Sequence, residues 1–267
     1  MKSFNLVSKK GEKYSVTLPE PTPGFESAYV FAFAKSGSTL LDNILTAYSK
    51  SIGVSTFSLF GQAFDQGINT RDIDLDAQCC FLDSGYLYVG FRHFPGFDID
   101  LTSKKSILLT RDPRDMLVSL YYSIAKSHVI PKNNKNLQIQ REKVSKQGID
   151  DYVIQAASTY NRQLKEYQRA LSESNLSVYR YEDVIYHKLE WIQNILDYLG
   201  IKENQRLLKN IVSKFDVIPD TESPDKHIRQ VHPGNYKKKL QPQTIKKLNN
   251  ILSPFLEYFD YEIEDKK

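Results

Sequence analysis

The chain has 267 residues, 40% hydrophobic and 25% charged, which is the make-up of a folded globular protein and excludes a disordered one. The longest apolar runs, such as 29–34 and 106–110, are far too short to span a bilayer, and the first residues carry no secretion signal, so a cytoplasmic protein with no membrane partner is expected. A net charge of +4 with basic residues scattered along the chain does not imply nucleic acid, and two adjacent cysteines, Cys79 and Cys80, leave no disulfide framework and no cysteine zinc site to expect.

Residues 1–19 alternate apolar and polar around Lys9-Lys10-Gly11-Glu12, which predicts a hairpin. Pro19, Pro21, Pro23 and Gly24 then make a stiff connector, so 1–24 is an N-terminal hairpin and its tether. The apolar run Ala28–Ala34 predicts a buried strand, and 38–50 a helix. Residues 53–83 mix glycine, aspartate and aromatics and break the regular order. Strands follow at 86–91 and 106–110, with a helix over 112–127. Residues 127–147 contain Pro131-Lys132-Asn133-Asn134-Lys135-Asn136 and predict a polar, mobile loop over the substrate. A long amphipathic helix over 148–172, a strand at 176–181 and helices at 187–199, 203–213 and 241–258 complete the chain. Strands alternating with helices predict a single α/β domain, three layers around a central parallel sheet.

Two strand–helix corners carry the chemistry. At the first, a buried strand runs into Lys35-Ser36-Gly37-Ser38-Thr39 and a helix opens. Free backbone N–H groups and the helix dipole favour an anion there, Gly37 allows close approach, and Lys35 adds a full charge. The loop is not a Walker A loop, because the lysine precedes the glycine. The alternative is an ordinary capped helix with an exposed lysine. At the second corner, Thr110-Arg111-Asp112-Pro113-Arg114-Asp115 leads a strand into a helix, with Asp112 as N-cap and Pro113 in the first turn. Arg111 stands at the carboxyl edge of the sheet, and Ser119 lies off the apolar face made by Met116, Leu117, Leu120 and Ile124. Together they suit a second phosphate. The alternative is that Arg111 pairs with a nearby aspartate and Ser119 is a tolerated helix serine.

These two segments resemble the sulfotransferase family that uses 3′-phosphoadenosine 5′-phosphosulfate (PAPS). The family carries a Lys-Ser-Gly-Thr-Thr loop and an Arg-Asn/Asp-Pro-Lys/Arg-Asp corner followed by a serine. Tyr179-Arg180-Tyr181-Glu182-Asp183 is similar to its Tyr-Glu-Asp segment, Ser213-Lys214-Phe215 to its Thr-Ser-Phe adenine clamp, and Arg229 with Gly234-Asn235-Tyr236 to its C-terminal segment. The chain departs from the family at Leu40, where a tryptophan often stacks on adenine, and at Gln230-Val231, where Lys-Gly is usual.

The resemblance implies a P-loop-NTPase-like sulfotransferase fold and sulfuryl transfer that leaves adenosine 3′,5′-bisphosphate (PAP), with no metal. It assigns the 5′-phosphate to Lys35 and the backbone of Ser36, Gly37, Ser38, Thr39 and Leu40, and the 3′-phosphate to Arg111, Ser119 and Arg229. Tyr181, Ser213 and Phe215 would hold adenine. Lys35 would neutralise the leaving oxygen, and Ser119 would steer that lysine. Gly90-Phe91-Arg92-His93-Phe94-Pro95 occupies the place of the family's Lys-Thr-His-Leu-Pro-Pro, so His93 is the candidate base. The acceptor stays open among phenol, alcohol, amine, sugar and secondary-metabolite scaffolds. An ATP-using kinase would need the lysine after the glycine and an acidic strand end for magnesium; a nucleic-acid module would need clustered basic residues with interleaved aromatics. The sequence offers neither.

Overall fold

The computed structural model describes residues 1–127, 135–216 and 231–263. In chain order, strands β1 (Lys2–Val7) and β2 (Lys13–Leu18) form the expected antiparallel hairpin. Strand β3 (Ala28–Ala32) leads to helix α1 (Ser38–Ser51), then β4 (Thr56–Phe57), α2 (Leu59–Asp65), β5 (Leu87–Tyr88) and β6 (Lys105–Thr110). Helix α3 (Pro113–Tyr122) continues as a wide turn over Ser123–Ser127, followed by α4 (Lys135–Gln147), α5 (Ile149–Ala156) and α6 (Ser158–Ala170). Strand β7 (Asn175–Arg180), the short turn α7 (Tyr181–Val184), α8 (Lys188–Leu199) and α9 (Gln205–Phe215) come next. The chain closes with α10 (Tyr236–Lys239), α11 (Pro242–Ile251) and α12 (Ser253–Tyr258).

Contacts divide the chain into two compact units that interleave in sequence: 1–33, 37–110 and 166–216 form one, and 34–36, 111–165 and 217–267 the other.

The first unit holds a five-stranded parallel sheet in the order β4-β5-β3-β6-β7. Strand β3 is buried along its whole length, as a strand covered on both faces must be. Its alternate residues serve two cores. Ala28, Val30 and Ala32 join Leu41, Ile44, Leu45, Trp191, Ile195 and Leu208 from α1, α8 and α9. Tyr29 and Phe31 face the other way, into a stack of rings that includes Tyr88, Phe91 and Tyr167. Each fully buried side chain of this size contributes about 1.5–3 kcal/mol, so this two-sided strand anchors the unit. The chain first winds from β3 toward β4, then returns across β3 to β6. Parallel sheets hold ligands at the carboxyl ends of strands where the winding reverses, here β3 and β6.

The second unit is helical and is organised around a buried guanidinium. Arg114 forms a two-pronged contact with Asp112, with Nε to Oδ1 at 2.9 Å and Nη2 to Oδ2 at 2.7 Å. It also donates to Asn249 Oδ1 at 2.8 Å and to the Glu262 carbonyl at 2.9 Å. Burial pushes the Asp112 carboxyl up, and the hydrogen bonds from Arg114 oppose that push.

Several expected boundaries move. Residues 135–147, read as loop, form α4: Lys, Gln, Arg and Glu are polar, yet they are good helix formers, and Val144 buries one face. The remainder of the expected loop, 128–134, lies outside the described residues. The helix expected over 148–172 is two helices, divided at Ala157, where the Tyr160 N–H bonds three residues back to the Ala157 carbonyl. Pro254 sits in the first turn of α12 and separates it from α11, since proline has no N–H to extend a helix. The strand expected over 86–91 shortens to two residues, and Tyr181 opens α7 rather than ending β7.

Candidate active site

The loop after β3 is built for close backbone approach. Lys35 and Gly37 both adopt positive φ, 70° and 95°. Gly37 is the N-cap of α1 and leaves the first turn without a side-chain cap, an arrangement that suits an anion at a helix start. The ring of Tyr181 lies directly against this glycine: a Cβ on Gly37 would stand 2.8 Å from Tyr181 Cδ2. The sequence-predicted Gly37 and Tyr181 therefore meet. Ser36 and Ser38 are buried, Lys35 and Leu40 half-buried, and Thr39 exposed. Leu40 and Phe215 both pack on the helical core of the first unit. Ser213 is exposed on the last turn of α9, its Oγ donating to the Asn210 carbonyl. Two tyrosines of α6 fix the strand exit from behind: Tyr167 donates to the Ala32 carbonyl and Tyr160 to the Ala34 carbonyl, each at 3.0 Å. Burial pushes the Tyr167 hydroxyl well up, so it stays a donor at any cellular pH.

The chain leaving β5 brings a second group to α1. Gly90 takes φ 91° and passes so close to Ser58 that a Cβ would meet Ser58 Oγ at 2.0 Å. Its N–H donates to Asp42 Oδ1 at 3.2 Å. Asp42 Oδ2 pairs with Arg92 Nη1 at 2.6 Å, and Arg92 Nη2 stands 3.5 Å from Thr39 Oγ1. Burial pushes the Asp42 carboxyl up, and the Arg92 guanidinium pulls against that. The next residue is His93. Its Nδ1 lies 2.9 Å from the Phe94 carbonyl, which only a protonated Nδ1 satisfies. Its Nε2 then presents a lone pair, 3.1 Å from the Thr70 hydroxyl, which donates to it. Burial pushes the imidazole below its ordinary value, with the Phe94 contact opposing and the Arg71 charge assisting. A neutral imidazole can give up the Thr70 hydrogen bond and accept a proton at Nε2.

In the second unit, α3 opens with Asp112 as N-cap, accepting from Arg114 N at 2.9 Å, and Pro113 in the first turn, as the sequence predicted. Arg111 is 6% exposed and pairs with Asp115 at 3.2 Å, one turn on. That is the aspartate pairing which stood as the alternative for this residue. Asp115 also accepts from the N–H of Gly234 at 2.7 Å and of Tyr236 at 2.8 Å, and the Arg114 guanidinium lies 4.4 Å from the Tyr236 ring centre. The C-terminal motif is thus docked on the Arg111 corner through the backbone. Ser119, half-buried, lies one further turn along the same helix face as Asp115. Arg229 lies outside the described residues.

Sequence reading missed Asp42, Arg92, Thr70, Tyr160 and Tyr167. The seven-residue spacing of the two tyrosines on an amphipathic helix was a readable signal for a shared face. The Asp42–Arg92 pair joins residues far apart in the chain and had none.

A model of the sulfotransferase domain family matches residues 97–259. The match includes the Arg111 corner, Tyr181, Ser213 and the 234–236 segment, and begins after the Lys35 loop and His93. No curated protein matches the sequence. A solved mouse sulfotransferase complexed with PAP is similar with a TM-score of 0.56 at 11% identity, over 96% of this chain and 95% of that one. A retinol dehydratase in complex with retinol and PAP is similar with a TM-score of 0.50 at 12% identity, over 96% and 90% of the two chains. At these identities what is shared is the fold: a central parallel sheet flanked by helices.

Proposed function

This chain belongs to the sulfotransferase domain family, and from that premise we propose that it moves the sulfuryl group of PAPS to a hydroxyl or amine of a small-molecule acceptor. The observation that carries the choice of donor is the start of α1: an uncapped first turn with Gly37 under the Tyr181 ring. Uncapped N–H groups fit a phosphate, and an aromatic ring beside them fits a nucleoside base or sugar face. In this reading residues 35–40 take the 5′-phosphate, and Arg111, Ser119 and Arg229 the 3′-phosphate. Tyr181, Ser213 and Phe215 take adenine, with Leu40 contributing its backbone N–H and no stacking ring.

When bound, PAPS supplies a sulfuryl group on a phosphate leaving group. The acceptor oxygen bonds to sulfur as the bond from sulfur to the bridging oxygen breaks. The acceptor proton passes to His93 Nε2, and the electron pair departs with the phosphate, whose growing charge Lys35 neutralises. Positioning and charge stabilisation supply the rate, and the residues need no metal for it. A cytoplasmic setting belongs to the same reading, supported by Cys79 and Cys80 standing as free thiols. Among the described residues no helix is long and apolar enough to cross a membrane.

The test is transfer of sulfur-35 from labelled PAPS to a panel of phenols, alcohols and amines. Labelled product with at least one class is expected. Donor turnover with ATP in place of PAPS, and none with PAPS, would contradict the reading.

A further inference from the structure

The tip of the β1–β2 hairpin is strapped to the turn beside His93. Ser8 forms a bridge to Ile73, the Lys9 N–H donates to the Asp72 carbonyl at 2.7 Å, and Lys10 Nζ pairs with the Asp72 carboxylate at 2.6 Å. The same turn carries Thr70, whose hydroxyl bonds His93 Nε2, and Arg71, whose charge acts on the imidazole. Three residues beyond His93, Gly96 lies against the Lys9 side chain: a Cβ there would stand 2.8 Å from Lys9 Nζ. The hairpin therefore sets Lys9 on the chain leaving His93 and holds the turn that sets Arg71 near the ring. The charges around the candidate base do not balance. Asp72 is taken by Lys10, Asp42 by Arg92 and Asp98 by Arg169. Lys9 and Arg71 are exposed and, among the described residues, enter no ion pair. An unpaired lysine on a free hairpin tip would mean nothing. This tip is tied down at Ser8, Lys9 and Lys10, and it brings its cation to the candidate base.

We propose that the acceptor is an anion: a hydroxyl compound that also carries an oxyanion, a carboxylate or a phosphate-like group, which Arg71 and Lys9 bind while His93 takes the hydroxyl proton. The inference rests on the reading of the chain as a PAPS-dependent enzyme and narrows its acceptor class. The acceptor hydroxyl must come within about 3 Å of His93 Nε2, in the place of the Thr70 hydroxyl. A molecule extending from there past Thr70 meets Arg71, and one extending along the chain to Gly96 meets Lys9. A guanidinium binds an oxyanion with two prongs, and an ammonium adds a point charge. The same two cations repel a protonated amine, so they select the acceptor by exclusion as well as by attraction.

The experiment is calorimetric titration of the full chain loaded with PAP, which permits acceptor binding without turnover. The probes differ only in charge: 4-hydroxyphenylacetate, its neutral amide, tyramine and 4-hydroxybenzylphosphonate, with 4-hydroxybutyrate, its amide and 4-amino-1-butanol as the matching alcohols. In at least one series the anion should bind about tenfold or more tightly than the amide, and the amine most weakly, with the gap narrowing as salt screens the exposed cations. The carboxylate and phosphonate arms tell a singly charged group from a doubly charged one. Arg71→Ala and Lys9→Ala should each cut the anion-to-amide ratio by about threefold or more, and Arg71→Glu should shift the preference toward the amine. Equal affinity for anion and amide, a preference for amide or amine, no binding by any anion, or a ratio that both alanine variants leave intact would overturn the proposal; if Arg71→Glu does not fold, Lys9→Glu decides in the same way. Failure of wild type to bind PAP would instead overturn the donor assignment.

Discussion

The two strand–helix corners of this chain use opposite means. The corner at α1 is open: no side chain caps its first turn, Gly37 removes bulk where Tyr181 presses in, and Thr39 stands exposed. The corner at α3 is closed: Asp112 caps it, Arg114 clamps Asp112, and Asp115 holds Arg111 together with the N–H groups of Gly234 and Tyr236. At the first corner no side chain caps the helix start. At the second, carboxylates fix cations and neighbouring backbone in place. In the proposed reading a phosphate at the open corner would meet backbone donors, whereas one at the closed corner would share Arg111 with Asp115.

If the α3 corner is held from within, breaking its clamp should unfold more than it disables. Arg114→Ala leaves Asp112 buried without its cation, and loss of one partner of such a pair costs about 3–5 kcal/mol. Urea unfolding is the measurement, and a loss below about 1 kcal/mol, within the range of an exposed pair, would break the contrast between the corners. The open corner should behave in the reverse manner. Lys35→Ala should lower kcat by about a hundredfold or more, as removing a group aimed at developing charge does, with PAP affinity and melting temperature near wild type. A variant that loses PAP binding and keeps kcat would mean that Lys35 binds the ground state only.

The pH profile sharpens the role of the segment beside the open corner. His93 must be neutral to take a proton, and burial pushes its ionisation below the ordinary 6.5. Turnover of a hydroxyl acceptor should therefore rise with pH on the acid side of 6.5 and stay flat through neutrality. His93→Ala should remove that limb and lower the rate by about a hundredfold. A limb that persists in the variant would move the base elsewhere.

What could be read from the sequence divides along a physical line. The β3 and β6 strands, the N-cap at Asp112 and the glycine at the head of α1 are local signals: continuous apolar runs, an Asp-Pro helix start and a loop glycine each state their own geometry. The meeting of Gly37 with Tyr181 was readable only as a family resemblance, since the residues lie far apart in the chain. The Asp42–Arg92 pair and the threonine at His93 are set by tertiary contact, which no periodicity encodes, whereas the Arg111–Asp115 pair is one helical turn apart and was open to sequence reading as the alternative for Arg111. Helix α4 went unrecognised for a different reason. Its Lys, Gln and Glu look like loop by polarity and like helix by propensity, and only the burial of Val144 decides between them.

The donor assignment stands most directly on one titration: wild-type chain against PAP, adenosine 5′-monophosphate and ATP under the same conditions. PAP should bind most tightly, and Arg111→Ala should erase most of its advantage over adenosine 5′-monophosphate, because charge-assisted hydrogen bonds worth about 1.5–3 kcal/mol each depend on the 3′-phosphate. Equal affinity for PAP and adenosine 5′-monophosphate, or a preference for ATP, would contradict it.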